Sequence, residues 1–338
     1  MRRKLVLALA LIALVPVIGC QKVSRLPEII AKRTGLSSSS PVQQIDSTPT
    51  VYSGVSGQLQ QRSLSFGGTQ RDYFVYAPRS VQNGQPAPMV MALHGGGGNA
   101  SRFADRMDLV NMAEKYGMIL VVPQALGRPG GKRGGGSWNA SSITPSGYAE
   151  NNGINDIGFV DALLRSTQGN YSVDPSRVYA MGFSKGGMMA YRAACVLRGQ
   201  ITAVAVVAAT VSSANCPNPQ GVSVLHIHGT NDENVPLNGG TGVMTGPRAN
   251  WPAVNRGLGF FTSGNQCSGP AETLRISSDT SCTVNRCGNN ETVQLCLVQG
   301  GGHAWPGAQP AKWQINHGVN VTQSFDASDY IARFLLSH

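Results

Sequence analysis

The chain has 338 residues, of which 41% are hydrophobic and 13% charged, enough for one large globular domain or two small ones with a substantial core. Its formal net charge is +10. Positions 1–53 hold seven basic residues and two acidic ones, so half of the net positive charge lies in these 53 residues and the remainder of the chain is only mildly basic. The remainder has no Lys/Arg-rich helix face with interleaved aromatic residues, and this argues against a nucleic-acid partner.

The first twenty residues have the pattern of a bacterial export signal. Arg2, Arg3 and Lys4 precede an apolar run over 5–18, which is shorter than a comfortable membrane span. The run ends in Val-Ile-Gly-Cys, which resembles a lipobox, so we expect Cys20 to be lipidated and to anchor the protein to a membrane. An ordinary signal peptide with an incidental cysteine is the alternative. The expected location is the bacterial cell envelope, on the outer surface or in the periplasm.

Two further regions follow the signal peptide of residues 1–20. Residues 21–54 include a serine run and show no apolar period, which predicts a flexible tether. Residues 55–338 alternate short apolar runs with amphipathic stretches, which predicts an α/β catalytic domain with a mostly parallel central sheet and helices on both faces. The candidate strands are 71–77, 88–93, 118–122, 177–181, 201–208, 222–227 and 293–298. The candidate helices are 101–116, 155–167, 185–197 and 324–336.

Apart from the lipobox residue there are six cysteines, and an even number in an exported chain indicates disulfides. They are Cys195, Cys216, Cys267, Cys282, Cys287 and Cys296. Segments 282–287 and 291–296 form a predicted hairpin whose register places Cys282 opposite Cys296. Cys195 ends a predicted helix and Cys216 follows the next strand, so we pair these two. The remaining pair is Cys267 and Cys287. Zinc is the rival interpretation, but no Cys-x-x-Cys pair occurs, and no metal site is expected.

The strand over 177–181 runs directly into the sequence GFSKG, with Ser184 at its centre, and a helical pattern follows. This is the G-x-S-x-G turn in which glycines allow a sharp strand-to-helix connection and expose a nucleophilic serine. A serine hydroxyl needs a base within hydrogen-bond reach, and the base needs an acid to orient it.

Two later loops supply that base and that acid in the chain order expected of the turn. Asp232 and Glu233 follow the strand over 222–227, and His303 follows three glycines after the strand over 293–298. Both loops lie at the carboxyl ends of strands, where the reactive residues of parallel sheets gather. His303 is therefore the predicted base. A structural loop histidine is the alternative, and the pattern leaves both Asp232 and Glu233 open as its partner.

A glycine-rich loop, His94 to Asn99, follows another strand and can place backbone N–H groups against a developing oxyanion. The predicted donors are the N–H groups of Gly96 and Lys185. A phosphate-binding loop is the rival, but no GK[ST] follows and the spacing of a dinucleotide fingerprint is absent. His94 is predicted to brace the loop rather than to transfer protons.

Two tryptophans lie near these motifs in the sequence. Trp138 belongs to the glycine-rich stretch 123–153, which is expected to overhang the site, and Trp305 follows His303 by two residues. They could form an aromatic wall that binds a sugar or aryl group, or they could simply pack the loops. The sequence does not decide between these alternatives.

Four motifs together carry a family resemblance: LHGGGGN, RVYAMGFSKGGMMAYRAAC, HIHGTNDENVP and GGGHAWPG. In this order they resemble the polyhydroxybutyrate depolymerase and feruloyl esterase family of α/β-hydrolases, including its lipoprotein members, over roughly residues 60–336. The resemblance implies a triad of Ser184, Asp232 and His303, and it supports the oxyanion donors. Members usually have a small or uncharged residue where Lys185 stands, and many have Cys at Gly96.

The predicted function is that of a serine esterase acting through an acyl-enzyme, without metal or organic cofactor. The expected substrates are feruloyl or acetyl esters of polysaccharides, or short polyhydroxyalkanoate esters. The alternatives are a serine peptidase of the same fold and a catalytically inactive carbohydrate-binding surface protein. No oligomeric state is predicted.

Overall fold

The computed structural model describes residues 58–130, 135–144, 146–243 and 249–338. All described residues belong to one compact unit, which lies within Thr48–His338. The predicted signal peptide, Cys20 with its predicted lipid, and the whole predicted tether lie outside the described residues.

The described residues form twelve strands and eight α-helices, together with a 3₁₀ helix at Arg79–Asn83. The strands are β1 (Gln60–Phe66), β2 (Thr69–Tyr76), β3 (Ala87–Leu93), β4 (Ile119–Pro123), β5 (Val173–Phe183), β6 (Ala203–Val207), β7 (Ser223–Gly229), β8 (Gly240–Thr241), β9 (Asn250–Trp251), β10 (Glu272–Arg275), β11 (Thr280–Arg286) and β12 (Thr292–Val298). The helices are α1 (Ala100–Arg106), α2 (Leu109–Tyr116), α3 (Tyr148–Asn151), α4 (Asp156–Asn170), α5 (Lys185–Val196), α6 (Val254–Gly264), α7 (Lys312–Asn316) and α8 (Ala327–Leu336).

Ten strands form one sheet in the order β1-β2-β4-β3-β5-β6-β7-β12-β11-β10. The six central strands from β4 to β12 are parallel, whereas β1 and β2 at one edge and β10 and β11 at the other pair antiparallel. The carboxyl ends of β3, β5, β7 and β12 therefore point to the same edge of the sheet. Loops that follow these strands can meet there.

Both faces of the central strands are buried. Along β3, Met89, Met91 and Leu93 pack into one hydrophobic cluster, and the alternate residues Val90 and Ala92 pack into a second. The period of two arises because successive strand side chains point to opposite faces. The first cluster includes residues of α4, α5 and α6, and the second includes residues of α1, α2 and α8. Helices thus cover both faces, and the predicted fold class is confirmed.

The predicted strands are all present, with ends shifted by a few residues. The predicted single helix over 101–116 is wrong, because the chain breaks between α1 and α2 at Asp108, whose φ is 53°. The buried residues of α2 do not continue the helical period of those of α1, but no glycine or proline within 101–116 marks the break in the sequence. Strand β1 and helix α6 were not predicted.

The structure joins the cysteines in the three pairs that the sequence predicts: Cys195 with Cys216, Cys267 with Cys287, and Cys282 with Cys296. The last pair lies between β11 and β12, in the register that places Cys282 opposite Cys296. No helix in the described part of the chain is long and apolar enough to cross a bilayer.

Candidate active site

Ser184 stands on the turn between β5 and α5. Its φ of 54° and ψ of −121° are unusual for a residue with a side chain. The turn is tight, because a Cβ atom on Gly182 would lie 2.4 Å from the backbone of Gly186, and one on Gly186 would lie 2.0 Å from the Leu93 carbonyl oxygen. Only glycine fits at these two positions, and the turn leaves the serine hydroxyl at the carboxyl edge of the sheet.

The hydroxyl of Ser184 begins a continuous line of hydrogen bonds. Its oxygen lies 2.9 Å from Nε2 of His303, and Nδ1 of the same ring lies 2.8 Å from Oδ2 of Asp232. An ionised carboxylate can only accept, so the proton of the neutral ring is on Nδ1 and Nε2 is free to accept the serine proton. Glu233, the other candidate acid, is exposed, whereas Asp232 is buried.

The loops that carry Asp232 and His303 are bonded to each other. The N–H of Asn231 donates to the Gly301 carbonyl at 2.9 Å, and the N–H of Thr230 donates to the Val298 carbonyl at 3.0 Å. A Cβ atom on Gly229 would lie 2.2 Å from the Gly301 oxygen, so this approach also requires glycine. Since β7 and β12 are neighbours, these contacts hold the acid and the base at a fixed separation.

Asp232 is held as a carboxylate. The N–H groups of Asn234 and Val235 donate to its Oδ1 at 2.9 and 2.8 Å. Burial acts to raise the pKa of Asp232, but its charge interaction and hydrogen bond with His303, helped by His228 and the Val235 N–H, bring the pKa below its usual value. A charged Asp232 can both orient His303 and stabilise its protonated form.

Gly96 and Lys185 lie beside Ser184 in the same cleft. The backbone at Gly96 lies close to Lys185, since a Cβ atom on Gly96 would lie 3.6 Å from Cβ of Lys185. Among the described residues, neither N–H has an acceptor within the protein. Lys185 is also the first residue of α5, where the helix dipole favours negative charge. Two unpaired donors and a helix terminus thus lie close to the serine.

The side chain of Lys185 is buried, which its sequence neighbours do not suggest. Its Nζ lies 2.7 Å from Oε1 of Glu150 and donates to Ser146 Oγ at 2.9 Å, and it stands 5.2 Å from the centre of the Trp251 ring. Burial lowers the pKa of Lys185, and the Glu150 carboxylate offsets part of that effect. The pair links the start of α5 to α3.

His94 holds the glycine-rich loop, as predicted. It is buried, its Nε2 accepts from the N–H of Ala125 at 3.1 Å, and its Nδ1 donates to the Gly95 carbonyl at 2.8 Å. Burial lowers the pKa of His94 to about 4, with the Gly95 hydrogen bond opposing the shift. The neutral ring connects the loops that follow β3 and β4.

A cleft of about 550 Å³ opens above Ser184. Its apolar and aromatic lining includes Tyr148, Phe183, Met188, Trp251 and Trp313, and Arg128 lies on its wall. A smaller depression of about 170 Å³ shares Asn234, His303 and Trp313 with the cleft. The cleft and the depression thus adjoin at His303.

The predicted aromatic wall of Trp138 and Trp305 is wrong. Both side chains are fully buried and pack the loops from behind. The indole N–H of Trp138 donates to the His94 carbonyl at 2.8 Å, and that of Trp305 donates to Ser328 Oγ at 3.0 Å. Because both rings are buried, neither presents a face to a ligand in the cleft.

The tryptophans that line the cleft are Trp251 and Trp313, which sequence reasoning missed. Neither follows a strand that carries a catalytic loop, so no motif spacing drew attention to them. The only signal in the sequence is that each is a large aromatic residue next to a proline or a polar segment, and that signal is weak.

Within the described residues, no group of three or more His, Cys, Asp or Glu side chains is arranged to hold a metal ion. The nucleophile turn, the hydrogen-bonded serine, histidine and aspartate, and the parallel sheet beneath them together define an α/β-hydrolase. Comparison with known proteins gives the same class.

Residues 79–251 match the phospholipase/carboxylesterase family model. The chain is 30% identical over 198 residues to an Aspergillus clavatus protein named "Probable feruloyl esterase C", covering 59% of this chain and 68% of that protein. It is 27% identical over 236 residues to feruloyl esterase C of Emericella nidulans, covering 68% of this chain and 78% of that protein. The chain therefore belongs to the phospholipase/carboxylesterase family, and it is a carboxylic ester hydrolase.

A solved structure supports the fold. Acetyl xylan esterase from Aspergillus awamori superposes with a TM-score of 0.53 at 18% identity, covering 78% of this chain and 98% of that one. At this level of identity the similarity concerns the fold alone.

Proposed function

We propose that the chain is a serine esterase in which Ser184 is the nucleophile, His303 the base and Asp232 the residue that orients the base. The observation that carries the proposal is the unbroken line of hydrogen bonds from the Ser184 hydroxyl through His303 to Asp232, at the floor of an open cleft. Such a line activates a hydroxyl that is otherwise a poor nucleophile.

In the first step Nε2 of His303 takes the Ser184 proton while the serine oxygen attacks the ester carbonyl. The carbonyl oxygen becomes negative and accepts from the N–H groups of Gly96 and Lys185. The resulting imidazolium then protonates the alcohol, which leaves. In the second step Nε2 of His303 takes a proton from water, whose oxygen attacks the carbonyl of the acyl-enzyme. The imidazolium then returns this proton to the Ser184 oxygen as the bond to the acyl group breaks, which releases the acid and restores the serine hydroxyl.

We assign the substrate to feruloyl or acetyl esters of polysaccharides, or to short polyhydroxyalkanoate esters. Names of relatives support the feruloyl class, since two are called feruloyl esterases. The aromatic and apolar lining of the cleft supports an aromatic or short apolar acyl group.

We also propose that the protein is exported and held to a membrane by a lipid on Cys20. Three disulfides in the described domain support export, because such bonds persist in oxidising compartments. The lipobox-like sequence before Cys20 supports the anchor.

The test is Ser184→Ala in the purified protein, assayed with p-nitrophenyl acetate and with feruloyl, acetyl and hydroxyalkanoate esters beside peptide amides. We expect turnover of the preferred ester to fall by about 10⁶ and labelling by a fluorophosphonate to be lost, because the nucleophile is gone. The control is Ser268→Ala, an exposed serine on a loop far along the chain. Parental ester turnover in Ser184→Ala would refute the proposal.

A further inference from the structure

Three buried polar side chains lie behind Asp232 and take no part in the steps above. Tyr191 belongs to α5, and His226 and His228 belong to β7. All three are 1% exposed or less. Polar groups buried so deeply are costly unless their hydrogen bonds are satisfied, so their arrangement needs an explanation.

The three side chains form one continuous chain of hydrogen bonds. The Tyr191 hydroxyl lies 2.6 Å from Nδ1 of His226, and Nε2 of His226 lies 2.9 Å from Nδ1 of His228. Nε2 of His228 lies 2.8 Å from the carbonyl oxygen of Val235. The two imidazole rings are stacked along the strand with centres 5.1 Å apart.

The contact between Nε2 of His228 and the Val235 carbonyl determines the position of every proton in this series of hydrogen bonds. A carbonyl can only accept, so Nε2 of His228 carries a proton and, in the neutral ring, Nδ1 accepts. His226 must then donate from Nε2 and accept at Nδ1, and Tyr191 must donate its hydroxyl proton. Burial lowers the pKa of both histidines and raises that of Tyr191, which keeps all three groups neutral. Every N–H and O–H dipole therefore points toward Val235.

The hydrogen-bonded series ends at His228, which contacts the segment that carries Asp232. Val235, whose carbonyl accepts from His228, donates its own N–H to Asp232 Oδ1. Nε2 of His228 also lies 3.5 Å from Asp232 Oδ2, the oxygen that accepts from His303. The positive end of the chain thus faces the carboxylate.

We propose that Tyr191, His226 and His228 are positioning residues for catalysis: the chain keeps the His228 proton on Nε2, and this N–H holds Val235 and faces Asp232 so that the carboxylate stays aligned with His303. The proposal rests on the proposed function of the Ser184 site. None of the three residues lines the cleft, so the effect belongs to turnover and not to substrate binding.

The proton positions are tested in the parent protein by ¹⁵N NMR of labelled histidine, which distinguishes a protonated from an unprotonated ring nitrogen. We expect His226 and His228 each to be neutral with the proton on Nε2, and we expect Tyr191→Phe to alter the His226 signals first. Resonances are assigned with His226→Gln and His228→Gln. A proton on Nδ1 of either ring, or a charged ring at neutral pH, overturns the one-directional chain.

The functional role is tested with two substitutions at one position. His228→Leu removes the N–H, and we expect kcat to fall by about 10- to 100-fold with KM unchanged, the scale seen when a residue that orients a ligating side chain is lost. His228→Gln can keep an amide N–H near the Val235 carbonyl, and we expect it to recover most of the lost turnover. A parental kcat in His228→Leu, or an equal loss in the two variants, overturns the positioning role.

Tyr191→Phe has a matched control in Tyr179→Phe. Tyr179 is a fully buried residue of β5, and within the described residues its hydroxyl has no hydrogen-bond partner. We expect Tyr191→Phe to lower kcat, though less than His228→Leu does, and Tyr179→Phe to leave kcat unchanged; equal kcat values in the two tyrosine variants overturn the role of Tyr191. Each kcat is measured beside that of Ser184→Ala. A parental kcat in Ser184→Ala refutes the proposed function, but it does not refute the hydrogen-bonded series of Tyr191, His226 and His228.

Discussion

Single residues at this site adopt conformations that would be unfavourable elsewhere. Ser184 keeps a positive φ, at a cost on the order of 1–3 kcal/mol, because the turn between β5 and α5 leaves no other path. Gly182 and Gly186 make the turn possible, since any side chain there would meet backbone. The strain is localised at the residue whose hydroxyl must project into the cleft.

His94 makes stability dependent on pH. Its pKa is about 4 when folded and about 6.5 when unfolded, so the unfolded chain binds a proton first as pH falls. The contribution of His94 is therefore complete above pH 6.5 and is lost between pH 6.5 and 4, at about 1.4 kcal/mol per pH unit. We expect urea unfolding at pH 7.5 and pH 5 to show this decline.

The control for this prediction is His94→Gln, which cannot titrate. Its free energy of unfolding should change less between pH 7.5 and pH 5 than that of the parent. Part of the decline should remain, because burial also lowers the pKa of His226 and His228. Identical pH dependence in parent and variant would contradict the assignment to His94.

At the scale of elements, the Lys185–Glu150 ion pair joins α5 to α3. Its two partners are not equally satisfied. Glu150 also accepts from the N–H groups of Ala140, Ser141 and Ser146. Among the described residues, the Lys185 ammonium has only Ser146 Oγ and the Trp251 ring besides Glu150. A buried charge that has lost its partner lowers the stability of the fold. The loss is larger when the charge that remains has few other hydrogen-bond partners.

We therefore expect Glu150→Gln to destabilise the protein by about 3–5 kcal/mol, and Lys185→Met to cost less. Urea unfolding at neutral pH measures both variants. The double variant, Lys185→Met with Glu150→Gln, should be more stable than Glu150→Gln alone, since it leaves no unpaired ammonium. A larger loss in Lys185→Met than in Glu150→Gln would contradict this account of the pair.

At the scale of the whole molecule, the proposed anchor at Cys20 lies outside the described residues that hold the candidate active site. We expect Cys20→Ala to abolish lipidation and to move the protein from the membrane to the soluble fraction, because the lipid is the proposed attachment. Turnover of a small soluble ester should not change, since Cys20 lies outside the described catalytic domain. Cell fractionation and mass spectrometry of the amino terminus are the measurements.

The control for the anchor is Cys267→Ser with Cys287→Ser, which removes two cysteines that form a disulfide in the domain. These substitutions leave the lipobox intact and should leave the protein on the membrane. An unmodified mature chain that begins beyond Cys20 would contradict the lipoprotein proposal.

The sequence pattern leaves Asp232 and Glu233 both open, and the family resemblance favours Asp232. The sequence alone was sufficient for the parallel sheet, the order of its loops and the prediction of Ser184 and His303. These features depend on local patterns: buried strands are continuous apolar runs, and a sharp turn demands glycine. The hairpin register of Cys282 and Cys296 is likewise a local property, because opposite positions follow from the turn.

Only the tertiary structure decided which tryptophans line the cleft: Trp138 and Trp305 pack behind the loops, whereas Trp251 and Trp313 belong to the cleft lining. It also decided that Lys185 pairs with Glu150 and that His226 and His228 connect Tyr191 to the loop of Asp232. The direction of a side chain and its distant partners depend on how separate segments pack. Neighbours along the chain carry no information about those contacts, whereas turns and strands are determined by residues only a few positions apart.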